Sequence, residues 1–337
     1  MKNGMRAIVA QRLGPPEVLE LGEVPVPEPG PGQVLVRLHA AGVNFSDTER
    51  RRGVYAGLEL PWIPGTEGAG RVVAAGPGME PALLDRRVAF WAMPPAVSGT
   101  YAEYAVAPAS SLFLLGPDTP FDLGAAFPQQ GLTAYGLVFL ATVIHPGATV
   151  LIHAAAGGVG QILVQLARKQ GARVLGTVSS PEKAAAVADL GAEPLLYGED
   201  LPERVAAVTG GRGVDRVFDS VGKATQNQSL AVLAPHGELI FFGDASGPPA
   251  PIDPDHLYGR SLKIGAFGLN VDRDPAAWAA ARRHLLEWIE AGELAISVSR
   301  RFPLEEAAEA HRLLESRAST GKVVLMPAGA EERRQSP

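Results

Sequence analysis

The chain of 337 residues contains no cysteine. Disulfides, thiolate zinc sites and a cysteine nucleophile are thereby excluded. Long basic runs are missing as well. Asp and Glu total 36 against 30 Lys and Arg, a formal charge of −6, which argues against the basic face that nucleic-acid binding needs. No apolar run reaches the roughly 20 residues that span a bilayer. The longest, Gly131 to Ile144, is short enough to read as a buried helix. The seven histidines show no HExxH pairing and read as core or surface residues. The N-terminus, MKNGMRAIVAQRLGPPEVLE, is broken by charges and prolines and lacks the character of a signal peptide. These absences leave a soluble, cytoplasmic globular protein, long enough for two domains of roughly 100–200 residues each.

What is present centres on Ala148 to Gln170, ATVLIHAAAGGVGQILVQLARKQ. Thr149 to Ile152 is a short apolar, β-branched run suited to a buried parallel strand. Gly157, Gly158 and Gly160 follow, and then Val159, Ile162, Leu163, Leu166 and Ala167 recur at helical spacing. Strand, glycine turn and helix are the parts of a dinucleotide-binding βαβ unit. The glycines let backbone approach a pyrophosphate, and the first N–H groups of the helix point at it. Ala155 stands where the first glycine of G-x-G-x-x-G usually falls.

On either side the chain changes character. Up to about Ser111 short strands alternate with Gly- and Pro-rich turns, among them Arg6–Ala10, Val18–Leu21, Val34–Ala40, Arg71–Ala74 and Arg87–Trp91. This predicts a β-rich domain, a small barrel in type. The stretch Val24–Gly32, VPVPEPGPG, is excluded from a central strand by its prolines. From Asp122 helices and strands alternate. Strands are predicted at Thr149–Ile152, Arg173–Val178, Pro194–Tyr197, Val214–Asp219, Leu239–Phe242 and Ser261–Ala266. The intervening helices are Pro181–Leu190, Leu201–Val208 and Thr225–Leu233. Such repeated βα units imply a doubly wound parallel sheet. Pro275–Ala291 and Leu304–Ser316 read as later helices, and Lys322–Met326 as a last strand that rejoins the N-terminal domain. Ala328–Pro337 is polar and reads as a frayed end.

The second strand ends Thr177-Val178-Ser179-Ser180, without the carboxylate that would take a ribose 2′-hydroxyl. Ser180 as N-cap, Pro181 at the first helical position and Lys183 at the third make a positive pocket suited to a 2′-phosphate. The sequence therefore favours NADP(H) over NAD(H).

Several stretches carry a resemblance to a known family. They are GVNFSDTERRRGVY (Gly42–Tyr55), IPGTEGAGRVVAAGPG (Ile63–Gly78), GTYAEY (Gly99–Tyr104), QQGLTAYG (Gln129–Gly136), HAAAGGVGQ (His153–Gln161), FDSVG (Phe218–Gly222) and FPLEEAAEAHRLLESRASTGKVVL (Phe302–Leu325). In order and spacing the chain resembles the medium-chain dehydrogenase/reductase superfamily, in its zinc-free, zeta-crystallin-type quinone oxidoreductases. The resemblance implies a GroES-like catalytic domain from residues 1–121 and 267–337. A Rossmann dinucleotide-binding domain, residues 122–266, would be inserted between, with the active site in the cleft. It also implies a homodimer formed through the sheet edge around Ser261–Asn270. Asn44, Thr66 and Gln130 match the positions at which zinc-dependent relatives hold their catalytic metal, and none is a competent replacement. By resemblance Asn44 and Asp47 face the nicotinamide ribose or carboxamide, with Gln130 also on the cofactor and Thr133 beside the ring. Gly157, Gly158 and Val159 meet the pyrophosphate, while Ser179, Lys183 and Tyr197 receive the adenosine ribose and its phosphate. Ser220, Phe242 and Gly243 line the nicotinamide side, and Arg317 closes over the cofactor. In many relatives an aromatic residue stands near the position of Glu49.

The expected chemistry is hydride transfer from NADPH to a planar electrophile without a metal. Tyr55 is the side chain best suited to donate a proton while stacking on a flat acceptor. A quinone is the first candidate acceptor. An α,β-unsaturated carbonyl fits the same residues, and so does an NADPH-binding protein without physiological turnover.

Overall fold

The computed structural model describes residues 4–55, 57–79 and 81–327. The frayed end expected at Ala328–Pro337 lies outside the described residues. The chain divides into two compact units, residues 1–129 with 282–337, and residues 130–281. The corresponding joins in the sequence expectation are 121/122 and 266/267.

In the first unit, β1 (Gly4–Ala10) and β2 (Leu19–Pro25) form an antiparallel ribbon. β2 stops at Pro25, where the proline-rich turn begins. The longest strand is β3 (Gln33–Val43), followed by β4 (Glu67–Ala75), β5 (Arg87–Trp91), β6 (Tyr104–Pro108) and β7 (Leu112–Leu114). The second unit contributes β8 (Thr149–Ile152), β9 (Arg173–Val178), β10 (Glu193–Leu196), β11 (Val214–Asp219), β12 (Leu233–Phe241) and β13 (Lys263–Ala266). The chain then returns to the first unit with β14 (Val298–Pro303) and β15 (Lys322–Met326).

β15 pairs antiparallel with β3, so the last strand joins the N-terminal sheet in the order β14-β15-β3-β4-β5-β7, with β6 also on β3. Alternation along β3 buries Val34, Val36 and Leu38 against Val72, Val88 and Phe90. A second cluster, including Ile8, Val43, Trp62, Tyr101, Leu304 and Leu325, ties the C-terminal segment to the N-terminal strands.

In the second unit six parallel strands run β10-β9-β8-β11-β12-β13. Counting β8 as the first, this is the order 3-2-1-4-5-6 of a doubly wound sheet. β8 is buried along its whole length, and the helix Gly158–Lys169 after it buries Ile162, Leu163, Val164, Leu166 and Ala167. The order reverses between β8 and β11. In open sheets of this kind ligands bind beyond the carboxyl ends of the strands at such a reversal, and the glycine turn follows the carboxyl end of β8.

Three local differences from the sequence reading have physical causes. The apolar run predicted as one helix over Gly131–Ile144 is helical from Pro128 to Gly136 and passes into a π-helical turn, Leu137–Ala141. Leu140 and Val143 are exposed, so this run is only partly core. Strand β14 was hidden because its arginines mask any alternation. The helix Phe45–Arg52 was hidden because it carries almost no apolar periodicity, and its start is fixed by hydrogen bonds instead.

Candidate functional site

In the second unit the turn after β8 is held from several sides. Ala154 takes a left-handed conformation, φ 51°, and its N–H donates to the Tyr197 hydroxyl at 2.8 Å. Tyr197 thus supports the turn directly, while its ring stacks on His153. Gly160 is required by close approach: a Cβ there would lie 2.4 Å from the Ala154 carbonyl oxygen. At Gly158 a Cβ would meet the Gln130 side chain at 3.1 Å, which brings two of the expected cofactor residues together. Gly157 is the N-cap, with Gly158 and Val159 opening the helix.

Beneath the turn His153 lies buried between the Thr177 hydroxyl, 2.9 Å from Nδ1, and the Ser229 hydroxyl, 3.0 Å from Nε2. Burial holds the imidazole below its usual range, against the pull of Asp219. Asp219 accepts from Thr225, Ser229 and the backbone N–H groups of Val221 and Gly222. This network fixes the end of β11, from which Ser220 projects. Gly243 abuts Ser220, a Cβ at Gly243 falling 3.1 Å from the Ser220 carbonyl oxygen, and Phe242 is half-buried beside it. Thr133 is half-buried on the helix Pro128–Gly136.

At the end of β9, Ser179 is exposed and Ser180 caps the helix Pro181–Asp189 by accepting from the Lys183 backbone N–H. Lys183 is half-buried, and burial lowers its ammonium pKa. Glu182, on the same turn, is exposed.

In the first unit Asn44 and Asp47 come together at the start of the helix Phe45–Arg52. The Asn44 backbone N–H donates to Asp47 Oδ2 at 3.0 Å. The Asn44 amide lies between two charges. Its Nδ2 donates to Glu67 Oε1 at 2.8 Å, and its Oδ1 accepts from the Lys322 ammonium at 2.7 Å. Lys322 also pairs with Glu67, both buried. Burial lowers the Lys322 pKa and Glu67 opposes that shift. Asp47 is fully buried, and burial pushes its carboxyl up to about 6 against the pull of Arg50, the Asn44 N–H and Lys322.

Tyr55 is exposed and donates to Glu49 Oε2 at 3.0 Å, with the Arg50 guanidinium 5.5 Å from its ring centre. The Glu49 carboxylate thus orients the phenol. Arg317 is exposed, with φ 57°, at the turn after the helix Ala307–Glu315.

Sequence reasoning missed Glu67, Lys322, Tyr101, His311 and Arg51. The available signals were a lysine opening the apolar strand KVVLM and a histidine on the apolar face of the last helix. Both have ordinary surface explanations until their partners are known.

The chain matches the family described as "Alcohol dehydrogenase GroES-like domain" over residues 30–117 and "Zinc-binding dehydrogenase" over residues 158–287. It is 39% identical to a quinone oxidoreductase of Pseudomonas aeruginosa, over 93% of this chain and 97% of that one. It is 38% identical to a 2-haloacrylate reductase of a Burkholderia species, over 95% of this chain and 98% of that one. Among solved structures, Escherichia coli quinone oxidoreductase complexed with NADPH superposes with a TM-score of 0.90 at 34% identity. That match covers 96% of this chain and all of the other.

Proposed function

The chain belongs to the medium-chain dehydrogenase/reductase superfamily, in its quinone oxidoreductase type, and on that premise we propose that it is an NADPH-dependent quinone reductase working without zinc. The observation that carries the reading is the glycine turn Ala154–Gly160 at the point where the sheet order reverses. Its close-packed glycines and the free end of a long helix suit a pyrophosphate. Gly157, Gly158 and Val159 would hold that group, with Ser179, Lys183 and Tyr197 on the adenosine side. Gln130, Thr133, Ser220, Phe242, Gly243, Asn44 and Arg317 would line the remainder of the cofactor.

Bound NADPH supplies a hydride; the protein's part is position, orientation and a proton. Asn44 is held rigid by Lys322 and Glu67, and Asp47 fixes its backbone. Tyr55 offers an exposed ring for a flat acceptor and a hydroxyl oriented by Glu49, from which a reduced quinone oxygen would take its proton.

The name of one matched family includes zinc, but the donor set does not fit that metal. The Asn44 amide is already engaged by an ammonium and a carboxylate. A divalent cation beside it would face Lys322 at short range. Thr66 donates its hydroxyl to Gln129 Oε1 at 3.1 Å.

Loss of NADPH absorbance with ortho- and para-quinones tests the reading. Turnover on a quinone with NADPH strongly preferred over NADH is expected, and Lys183→Ala should narrow that preference by roughly tenfold. Equal use of both nucleotides by the wild-type protein would sink the phosphate assignment. The relative named 2-haloacrylate reductase supports a second reading, reduction of α,β-unsaturated carbonyls; faster turnover of an enone or enoate would make it the primary one. The homodimer is proposed through β13, an edge strand whose Lys263 and Ala266 are exposed. Light scattering at a single 35.2 kDa mass would reject it.

A further inference from the structure

Beyond Asn44 a line of buried polar groups runs from Asp47 to a surface cavity of the same unit. The Tyr101 hydroxyl is 3.3 Å from Asp47 Oδ2 and 3.0 Å from His311 Nε2. His311 Nδ1 is 3.1 Å from Arg51 Nη1. Tyr101, Asp47 and His311 are fully buried, and Arg51 is only 1% exposed. Arg51 also donates through Nε to the Gly14 carbonyl at 3.1 Å and pairs with Glu315. Its outer end borders a surface cavity of about 410 Å³ lined by Gly14, Pro15, Pro16, Arg51, Arg52 and Glu315.

The donors dictate the direction of this line. A guanidinium has no acceptor, so His311 Nδ1 must accept from Arg51. Burial and the Arg51 charge hold the His311 imidazole neutral, down to about 3. Its one proton therefore sits on Nε2 and donates to the Tyr101 oxygen. That leaves the Tyr101 O–H to donate to Asp47. Every bond points the same way, from the cation toward the carboxylate.

We propose that Tyr101, His311 and Arg51 are positioning residues for the reaction. Their one-way chain, Arg51 to His311 to Tyr101 to Asp47, holds Asp47 as the acceptor that pins Asn44. The inference rests on the reading that Asn44 lies in the cofactor site. Asp47 needs the help, because burial disfavours its charge and its Oδ1 has no hydrogen bond, the Arg50 Nη1 lying 3.5 Å away. The other ionisable groups that bear on Asp47 are Glu67 and Lys322. A protonated Asp47 turns one oxygen into a donor, and its grip on the Asn44 N–H weakens. Losing the Tyr101 donor makes that protonation easier.

The test compares Tyr101→Phe, His311→Phe and His311→Gln with wild type. NADPH affinity and kcat/KM for a quinone are measured from acid to alkaline pH. In Tyr101→Phe and His311→Phe the acid limb of both profiles should move up by about half a pH unit or more. Their kcat/KM at neutral pH should fall roughly tenfold. Gln offers an acceptor to Arg51 and a donor to Tyr101, so His311→Gln should recover most of the loss. An acid limb unmoved in Tyr101→Phe, a nearly isosteric change, overturns the proposal. So does a His311→Gln variant no better than His311→Phe. Should wild type turn over no acceptor, the reductase reading fails, and the pH dependence of NADPH affinity still decides this one.

Discussion

At the residue scale the decisive feature is a buried ammonium. Lys322 and Glu67 are both out of water, and each satisfies the other and one end of the Asn44 amide. Removing one partner strands a charge in a low dielectric, whereas removing both leaves only a polar gap. Lys322→Met or Glu67→Gln alone is therefore expected to cost about 3–5 kcal/mol of stability, as measured by urea unfolding. The double variant should lie closer to wild type than either single. A double variant as unstable as the sum of the singles would show that the two residues do not act as a pair. Lys183 is only half-buried, and burial lowers its pKa as well.

At the scale of elements, the turn between β8 and its helix is where conformation and close packing are both restrictive. Gly160 sits so near the Ala154 carbonyl that even a methyl group requires the helix to shift. Gly160→Ala is expected to destabilise the protein by about 1–3 kcal/mol. NADPH affinity should fall with it, because the helix start moves with the turn. Calorimetric titration together with a thermal melt measures both, and unchanged affinity would detach the turn from the cofactor. The helix Phe45–Arg52 teaches a complementary lesson. It has no apolar stripe and was invisible to periodicity, yet its start is fixed by the Asn44 N–H donating to Asp47 and its end by Gly53 at φ 81°. Asn44 and Asp47 were legible in the sequence only by resemblance, as residues facing the nicotinamide. Their setting among Lys322, Glu67 and Tyr101 was not.

For the whole molecule, two buried groups give stability opposite slopes with pH. His311 falls from its ordinary 6.5 to about 3. As pH drops through that window the unfolded chain gains a proton that the folded one refuses, and stability is lost, by an amount on the order of 5 kcal/mol. Asp47 rises from 3.8 to about 6. Its folded form holds a proton that the unfolded form has released, so its contribution is greatest below the unfolded pKa and is lost as pH rises to about 6. Between these values the two slopes oppose. His311→Gln removes only the first, so its stability should fall less steeply than that of wild type from pH 6.5 to 4. Urea unfolding across that range measures the difference; parallel slopes would mean that His311 is not the group responsible.

The sequence by itself determined the doubly wound sheet, the glycine turn, the capped helix at Ser180 and the β-rich segments, because each is written in residues a few positions apart. Hydrophobic period, capping side chains and glycine need no distant partner to act. It also carried the family, through ordered motifs along nearly the whole chain. Only the tertiary structure decided which charges are buried together. Lys322 reaches Asn44 across 278 positions of sequence, and Arg51 reaches His311 across 260. Desolvation, and with it the pKa of Asp47, the tautomer of His311 and the grip on the Asn44 amide, exists only once β15 and the last helix have closed against the N-terminal strands.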